Sequence, residues 1–252
     1  QKLWEKASSR REQGLFPVEG QRETLRAHQA GWHIHTLYAC PQIADPQALQ
    51  TLQSAASQTI HVSPQLYARI ARRTTTEGII ATIRQQTTTL QTLSLPPSPL
   101  LVILESIEKP GNIGAILRTA NAAGATAVIL CDPLTDPYNP HLVRNSLGAI
   151  FTTPLIVTTT PQCIQWLQDH NIQILTAQLQ DAQPYTHTPM TQPTAIVMGT
   201  ESTGLTQPWR QAAHHHIIIP MQGTVDSLNV SVSTAIILYE ALRQRTQKQQ
   251  EQ

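Results

Sequence analysis

Three stretches of this chain carry more Gly, Asn, Ser and charge than strands and helices need. The first runs from Glu105 to Asn121 and contains Lys109-Pro110-Gly111-Asn112-Ile113-Gly114 and Arg118. Asn112 suits a helix start, and Gly114 lets another backbone approach closely. Arg118 follows nearly two helical turns later, so Asn112 and Arg118 can face one cleft. The glycines lack G-x-G-x-x-G spacing, which disfavours an ordinary Rossmann cofactor site. The second stretch is Met198-Gly199-Thr200-Glu201-Ser202-Thr203-Gly204-Leu205. Its glycines can equally shape a pocket where backbone N–H groups meet a ligand, while Glu201 alone reads more often as a helix-start charge than as a catalytic group. The third runs from Ile219 to Ser231 and holds Ser227, Leu228 and Asn229 ahead of an apolar helix. Ser227 or Asn229 can cap that helix, yet the loop carries more polar groups than capping requires.

Each stretch follows a near-continuous Val/Ile/Leu run, the pattern of a strand buried on both faces. Strands are expected at 99–107, 126–132, 154–159, 172–178, 193–199 and 215–220. Helices are expected between them at 112–124, 139–148, 161–170 and 206–213, with a last one from about 229 to 245. This alternation predicts an α/β fold with a parallel sheet, whose ligands gather at strand C-terminal ends. A break in composition precedes it, where Pro96, Pro97 and Pro99 cannot sit in a helix or a central strand. The domain boundary is expected there, giving residues 1–95 and 96–252. The first part reads as a small α/β unit. Strands fall at 16–20, 34–40, 58–63 and 78–83, and helices at 20–31, 46–55 and 64–73. Asp45 before Pro46 and Ser63 before Pro64 are expected helix caps.

The net charge is only +1, which excludes a wholly basic nucleic-acid coat. The charge is nevertheless uneven. Residues 1–95 hold 10 Lys/Arg against 6 Asp/Glu, a balance of +4, and residues 96–252 hold 7 against 10, a balance of −3. The first part therefore suits a polyanion. Cys40, Cys131 and Cys163 show no CxxC or Cys/His spacing, so neither a disulfide scaffold nor a zinc site is indicated. No apolar run is long enough to span a membrane, and the first residues lack a signal-peptide core. A reduced, cytoplasmic protein is the expectation.

The residues Pro110 to Leu130, Ile196 to Leu205 and Ile219 to Arg245 resemble, in order, the three signature motifs of the SpoU (TrmH-type) RNA 2′-O-ribose methyltransferases of the SPOUT superfamily. Asp136 to Pro154 is similar to the stretch these enzymes carry after the second strand. Residues 15–31 and 62–83 resemble the small ribosomal-protein-like RNA-binding domain that often precedes them. The resemblance implies a deep trefoil knot, S-adenosyl-L-methionine as cofactor and a homodimer. It implies cofactor contacts around Gly199, Ile219 and Leu228. Its polar active-site set falls on Asn112, Arg118, Glu201, Ser227 and Asn229. Ser202 departs from the pattern, where the family usually has Gly.

The expected activity is methylation of a ribose 2′-hydroxyl in RNA, ribosomal RNA by preference. The alternatives are a tRNA 2′-O-methyltransferase or a non-catalytic ribosome-associated RNA-binding factor. The family proposal makes the residue at Arg118 a general base. A free guanidinium titrates above about 12, so Arg118 can instead orient the target phosphate and stabilise alkoxide charge. Candidate phosphate contacts are Arg10, Arg11, Arg22, Arg26, Arg69, Arg72 and Arg73, with Arg69, Arg72 and Arg73 the leading cluster. His214-His215-His216 enter a strand, where successive side chains alternate faces, so no metal is expected. Trp166 and Trp209 are expected to pack rather than to stack on bases.

Overall fold

The computed structural model describes residues 1–73, 77–200 and 203–250 of the 252-residue chain. It forms two compact units, residues 1–87 with 138–152, and residues 88–137 with 153–252. The chain thus changes unit between Thr87 and Thr88, ahead of the proline-rich stretch. Tyr138–Thr152, which the sequence suggests should go with the second unit, groups with the first. Aromatic packing holds it there. The Tyr138 ring lies 4.5 Å from Phe16 and the Phe151 ring 5.3 Å from Trp32. Trp32 Nε1 also donates to the Phe151 carbonyl at 3.0 Å.

The first unit contains α1 (Lys2–Glu5), α2 (Ala7–Gln13), β1 (Leu15–Glu19), α3 (Gln21–Gln29), β2 (Ile34–Ala39), α4 (Pro46–Ala55), β3 (Gln58–His61), α5 (Pro64–Ile70) and β4 (Ile79–Arg84). Its sheet runs β1-β4-β2-β3, with β4 antiparallel to both neighbours and β2 parallel to β3. The two expected caps form. Asp45 accepts the Ala48 N–H at 2.9 Å, and the Ser63 hydroxyl accepts the Leu66 N–H at 3.2 Å. Helix α5 stops at Ile70 rather than continuing to 73, because the Arg72 and Arg73 N–H groups turn to the Glu19 carboxylate at 3.1 Å. Helices α1 and α2 have no regular apolar period and escape a sequence reading. Arg10 of α2 is 2% exposed and donates to the Leu3 carbonyl at 2.7 Å. It is a packing residue, which corrects its place among the expected phosphate contacts.

The second unit begins with β5 (Leu100–Glu105), α6 (Pro110–Ala122) and β6 (Ala127–Cys131). The chain then visits the first unit through α7 (Pro140–Asn145). It returns as β7 (Leu155–Thr158), α8 (Thr160–Asp169), β8 (Gln173–Ala177), β9 (Gln183–Pro184), β10 (Thr194–Met198), α9 (Gln207–Ala212), β11 (His215–Ile218) and α10 (Val230–Gln250). The sheet order is β7-β6-β5-β10-β8-β11-β9, and every neighbouring pair is parallel. The central strands β5, β6 and β10 are buried along their whole length, as their unbroken aliphatic sequence requires. Helix α6 starts at Pro110 with Lys109 as its N-cap, so Asn112 sits inside the first turn and is not the cap the sequence suggests.

Trp166 and Trp209 are buried in the core of this unit with Ile103, Ile129 and Val197. Cys131 and Cys163 lie in the same core, and the Cys131 thiol is pushed up by its hydrogen bond with Cys163 and by burial. The three histidines part company at β11. His214 Nδ1 accepts the Ile174 N–H at 3.0 Å, and His216 Nδ1 meets the Thr176 hydroxyl at 2.6 Å. Among the described residues no group of His, Cys, Asp and Glu is set to hold a metal, and no helix is long and apolar enough to cross a membrane.

Candidate functional site

The C-terminal ends of β8, β10 and β11 open onto one cavity of about 430 Å³. Its walls come from residues that follow each of those strands: Gln178 and Leu179, then Gly199, Gly204 and Leu205, then Ile219, Ser227 and Leu228. Parallel strands expose their last carbonyls and following loops at the same edge, so a site built there collects residues distant in sequence. Gly199, Ile219 and Leu228, the expected cofactor contacts, all line this cavity, and so does Ser227. Glu201 and Ser202 lie outside the described residues.

Thr200, Thr203 and Gly204 close on one another. Thr200 and Gly204 exchange N–H···O bonds at 3.3 and 3.1 Å, and the Thr200 hydroxyl accepts the Thr203 N–H at 3.0 Å. The closure demands glycine at both ends. A Cβ on Gly199 would lie 2.5 Å from the Gly204 carbonyl carbon, and Gly204 has φ +68°. Glu105, at the end of β5, anchors the chain just beyond Leu205. Its carboxylate is 3% exposed and accepts the Thr206 N–H at 2.9 Å, the Thr206 hydroxyl at 2.6 Å and the Thr160 hydroxyl at 3.2 Å. Arg210 borders the cavity with its Nε held by the Leu205 carbonyl at 3.1 Å.

Asn229 joins two of the motifs. Its side-chain oxygen accepts the Ser231 N–H at 3.0 Å and the Ser231 hydroxyl at 2.6 Å, capping α10. Its amide nitrogen donates to Asn112 Oδ1 at 3.3 Å. Capping and bridging are therefore both done by Asn229, and Ser227 is left to the cavity wall. Helix α10 packs on α6. Arg118 stands exposed on α6 and is not among the described residues that wall the cavity. Gln178, Arg210 and Glu105 are among the wall and anchor residues that the sequence does not single out. Their one common signal is position at a strand end or an adjoining helix. Gln178 Oε1 is buried with no hydrogen-bond partner, although the amide nitrogen donates to the Gln180 carbonyl at 2.8 Å.

In the first unit the expected RNA contacts divide. Arg69 is exposed on α5. Arg72 pairs with Glu5 at 3.1 Å, Arg73 with Glu23 at 3.4 Å, and Arg22 approaches Glu23 at 3.5 Å. Arg26 donates to the Leu147 carbonyl and lies along Gly148. These ties are to the unit's own residues, which charge counting alone cannot reveal.

Both parts of the chain are similar to known proteins. Residues 1–81 match the MRM3-like substrate binding domain. The 23S rRNA (uridine(2479)-2′-O)-methyltransferase of Streptomyces viridochromogenes is 29% identical over 241 residues, 92% of this chain and 84% of that protein. The 23S rRNA (guanosine-2′-O-)-methyltransferase RlmB of Photobacterium profundum is 40% identical over 149 residues, 59% of this chain and 61% of that one. The crystal structure of the SpoU methyltransferase AviRb from Streptomyces viridochromogenes, in complex with AdoMet, superposes with a TM-score of 0.89. Sequence identity there is 28%, covering 97% of this chain and 96% of that one. The model of the SpoU rRNA Methylase family matches residues 99–239, which contain the cavity, the Asn112–Asn229 bridge and Arg118. On that match, across more than half its length, the chain belongs to the SpoU rRNA Methylase family.

Proposed function

We propose that this protein is an S-adenosyl-L-methionine-dependent methyltransferase that modifies a ribose 2′-hydroxyl of RNA, and ribosomal RNA in particular. The observation that carries the reading is the single cavity built from Gly199, Ile219, Ser227 and Leu228, with Asn229 tied to Asn112 beside it. Relatives named for 23S rRNA support a ribosomal substrate over a transfer RNA.

The cavity suits the cofactor. Its volume falls within the range of small-molecule sites, and its walls are mainly apolar. Glycine at 199 lets the Gly204 and Leu205 backbone close in and shape the wall, and Gln178 Oε1 is an acceptor that lacks a donor. When bound, S-adenosyl-L-methionine supplies a methyl group on a cationic sulfur, open to in-line attack by an oxygen. Positioning that oxygen is the protein's task. Arg118 orients the target phosphate, and its positive charge stabilises the ribose oxygen as the hydroxyl proton passes to solvent water. Asn112 and Asn229 hold the first and third motifs in register, and Glu201 and Ser227 orient ribose and loops.

The same reading includes a division of labour, with residues 1–95 binding RNA through Arg69, Arg72, Arg73, Arg22 and Arg26, and residues 96–252 carrying the transfer. It includes a deep trefoil knot, supported by β11 lying between β8 and β9 while α10 returns to α6. It also includes a homodimer. Val232 and Tyr239 lie seven residues apart on one face of α10 and are 47% and 50% exposed, which suits a partner surface. A ribosomal substrate supports a cytoplasmic location.

Calorimetry with S-adenosyl-L-methionine, followed by transfer of labelled methyl to ribosomal RNA, tests the reading. Arg118→Ala is expected to lower transfer by at least about a hundredfold while cofactor binding persists. Near-normal transfer by Arg118→Ala with RNA bound would remove Arg118 from the mechanism. Absence of cofactor binding at millimolar concentration would leave the non-catalytic factor as the better account.

A further inference from the structure

The first unit holds a cavity of its own, of about 380 Å³, apart from the three signature motifs of the second unit. Trp4, Val18 and Val143 give it apolar surface, and Glu23, Arg72 and Arg144 give it charge. Trp4 packs against the cluster of Cys40, Val62, Tyr67 and Ile80 while remaining partly exposed at the cavity. Such a ring is fixed in place and still able to take a second flat group. Arg144 is exposed and its guanidinium has no protein partner among the described residues. Arg72, by contrast, is engaged by Glu5.

Glu23 is the most informative wall residue. It is 3% exposed, and its Oε2 has no hydrogen-bond partner. Its Oε1 meets only Arg22 and Arg73, at 3.5 and 3.4 Å, both at the long limit. The carboxylate lies over Gly20, whose φ of +116° and missing side chain leave the space. A buried acceptor held this loosely is short of a donor. An aromatic face, a free cation and an acceptor in want of N–H groups, set around one small cavity, match the parts of a nucleotide. The ring stacks, the phosphate pairs, and an amino group donates.

We propose that this cavity takes one unstacked nucleotide of the RNA, with its ring on Trp4, its phosphate at Arg144 and an amino-bearing base edge at Glu23. The proposal rests on the reading that the protein acts on RNA, and it adds a base preference to the first unit. Cytosine and uracil separate the idea cleanly, because one carries an amino donor where the other carries a carbonyl acceptor.

The test is fluorescence anisotropy of the full chain with labelled decacytidylate and decauridylate. The wild type is expected to bind decacytidylate at least about fivefold more tightly. Glu23→Gln, which offers a donor of its own, should bring the ratio to one or below. Arg144→Ala should weaken both oligomers alike and reduce the salt slope by about one. Trp4→Ala should weaken both by about tenfold. Thermal melts identify any variant that fails to fold, and Arg144→Ala, at an exposed site, stays informative if the others do. Equal binding of the two oligomers by the wild type, or a ratio unchanged in folded Glu23→Gln, would overturn the proposal. Competition by free cytidine monophosphate as strong as by decacytidylate would assign the cavity to a free nucleotide and overturn the RNA occupant. Cofactor calorimetry on the same samples reports separately on the methyltransferase reading.

Discussion

Asn229 donates from its amide nitrogen to Asn112 Oδ1 at 3.3 Å while its own oxygen caps α10 through Ser231. One side chain therefore starts the last helix and fastens it to the helix that carries Arg118. Asn229→Asp keeps the capping acceptor and loses the donor, whereas Asn229→Ala loses both. Thermal melts should show Asn229→Ala less stable by about 1 kcal/mol and Asn229→Asp close to wild type. Methyl transfer should fall in both. Full activity in Asn229→Asp would mean that the bridge to Asn112 does not serve the reaction.

Gly199 and Gly223 belong to the same end of the sheet but differ in space. A Cβ at 199 meets the Gly204 backbone at 2.5 Å, while one at 223 meets nothing within 4 Å. Gly199→Ala should cost about 1–3 kcal/mol and weaken cofactor binding, because backbone must shift. Gly223→Ala should stay within about 0.5 kcal/mol of wild type. Denaturant titration and calorimetry check both, and equal behaviour of the two variants would contradict the close approach.

Glu105 accepts three hydrogen bonds from Thr160 and Thr206 in a buried setting. Glu105→Ala leaves the Thr206 N–H without its acceptor and should cost about 3 kcal/mol in urea unfolding. The cavity wall loses its anchor with it, so affinity for S-adenosyl-L-methionine should fall as well. Glu105→Gln retains a carbonyl acceptor and should recover most of both losses.

Tyr67 is fully buried and donates to the Ile79 carbonyl at 3.2 Å. Burial, helped by the Glu19 charge, pushes its phenol up to about 12. Below pH 10 the phenol is neutral folded and unfolded, so its contribution is complete there. Above pH 10 the unfolded chain ionises first, and stability falls until the folded phenol ionises too. By pH 11 the loss from this group should reach about 1.4 kcal/mol. Urea midpoints of wild type and Tyr67→Phe across that range measure it, since the variant lacks the term. Parallel decline in the two would show that Tyr67 titrates normally.

Local signals made much of the fold legible. Unbroken aliphatic runs read as buried parallel strands at β5, β6 and β10, and Asp45 and Ser63 mark helix starts by chemistry that acts within three residues. Interactions distant in sequence escaped. Nothing in residues 138–152 announces that Tyr138 and Phe151 pack with Phe16 and Trp32. Arg10 reads as a surface charge until its burial is seen.

The same division holds at the site. From the sequence, resemblance to the family motifs pointed to Gly199, Ile219, Ser227, Leu228, Asn112 and Asn229. The sequence also showed the positive excess of the first 95 residues. Only the tertiary structure decided that Gln178 and Arg210 share the cavity wall, that Glu105 anchors it, and that Arg72 and Arg73 are matched by glutamates. The reason is physical. A parallel sheet brings strand ends separated by dozens of residues to one edge, and a charge's availability depends on the partner folding sets beside it.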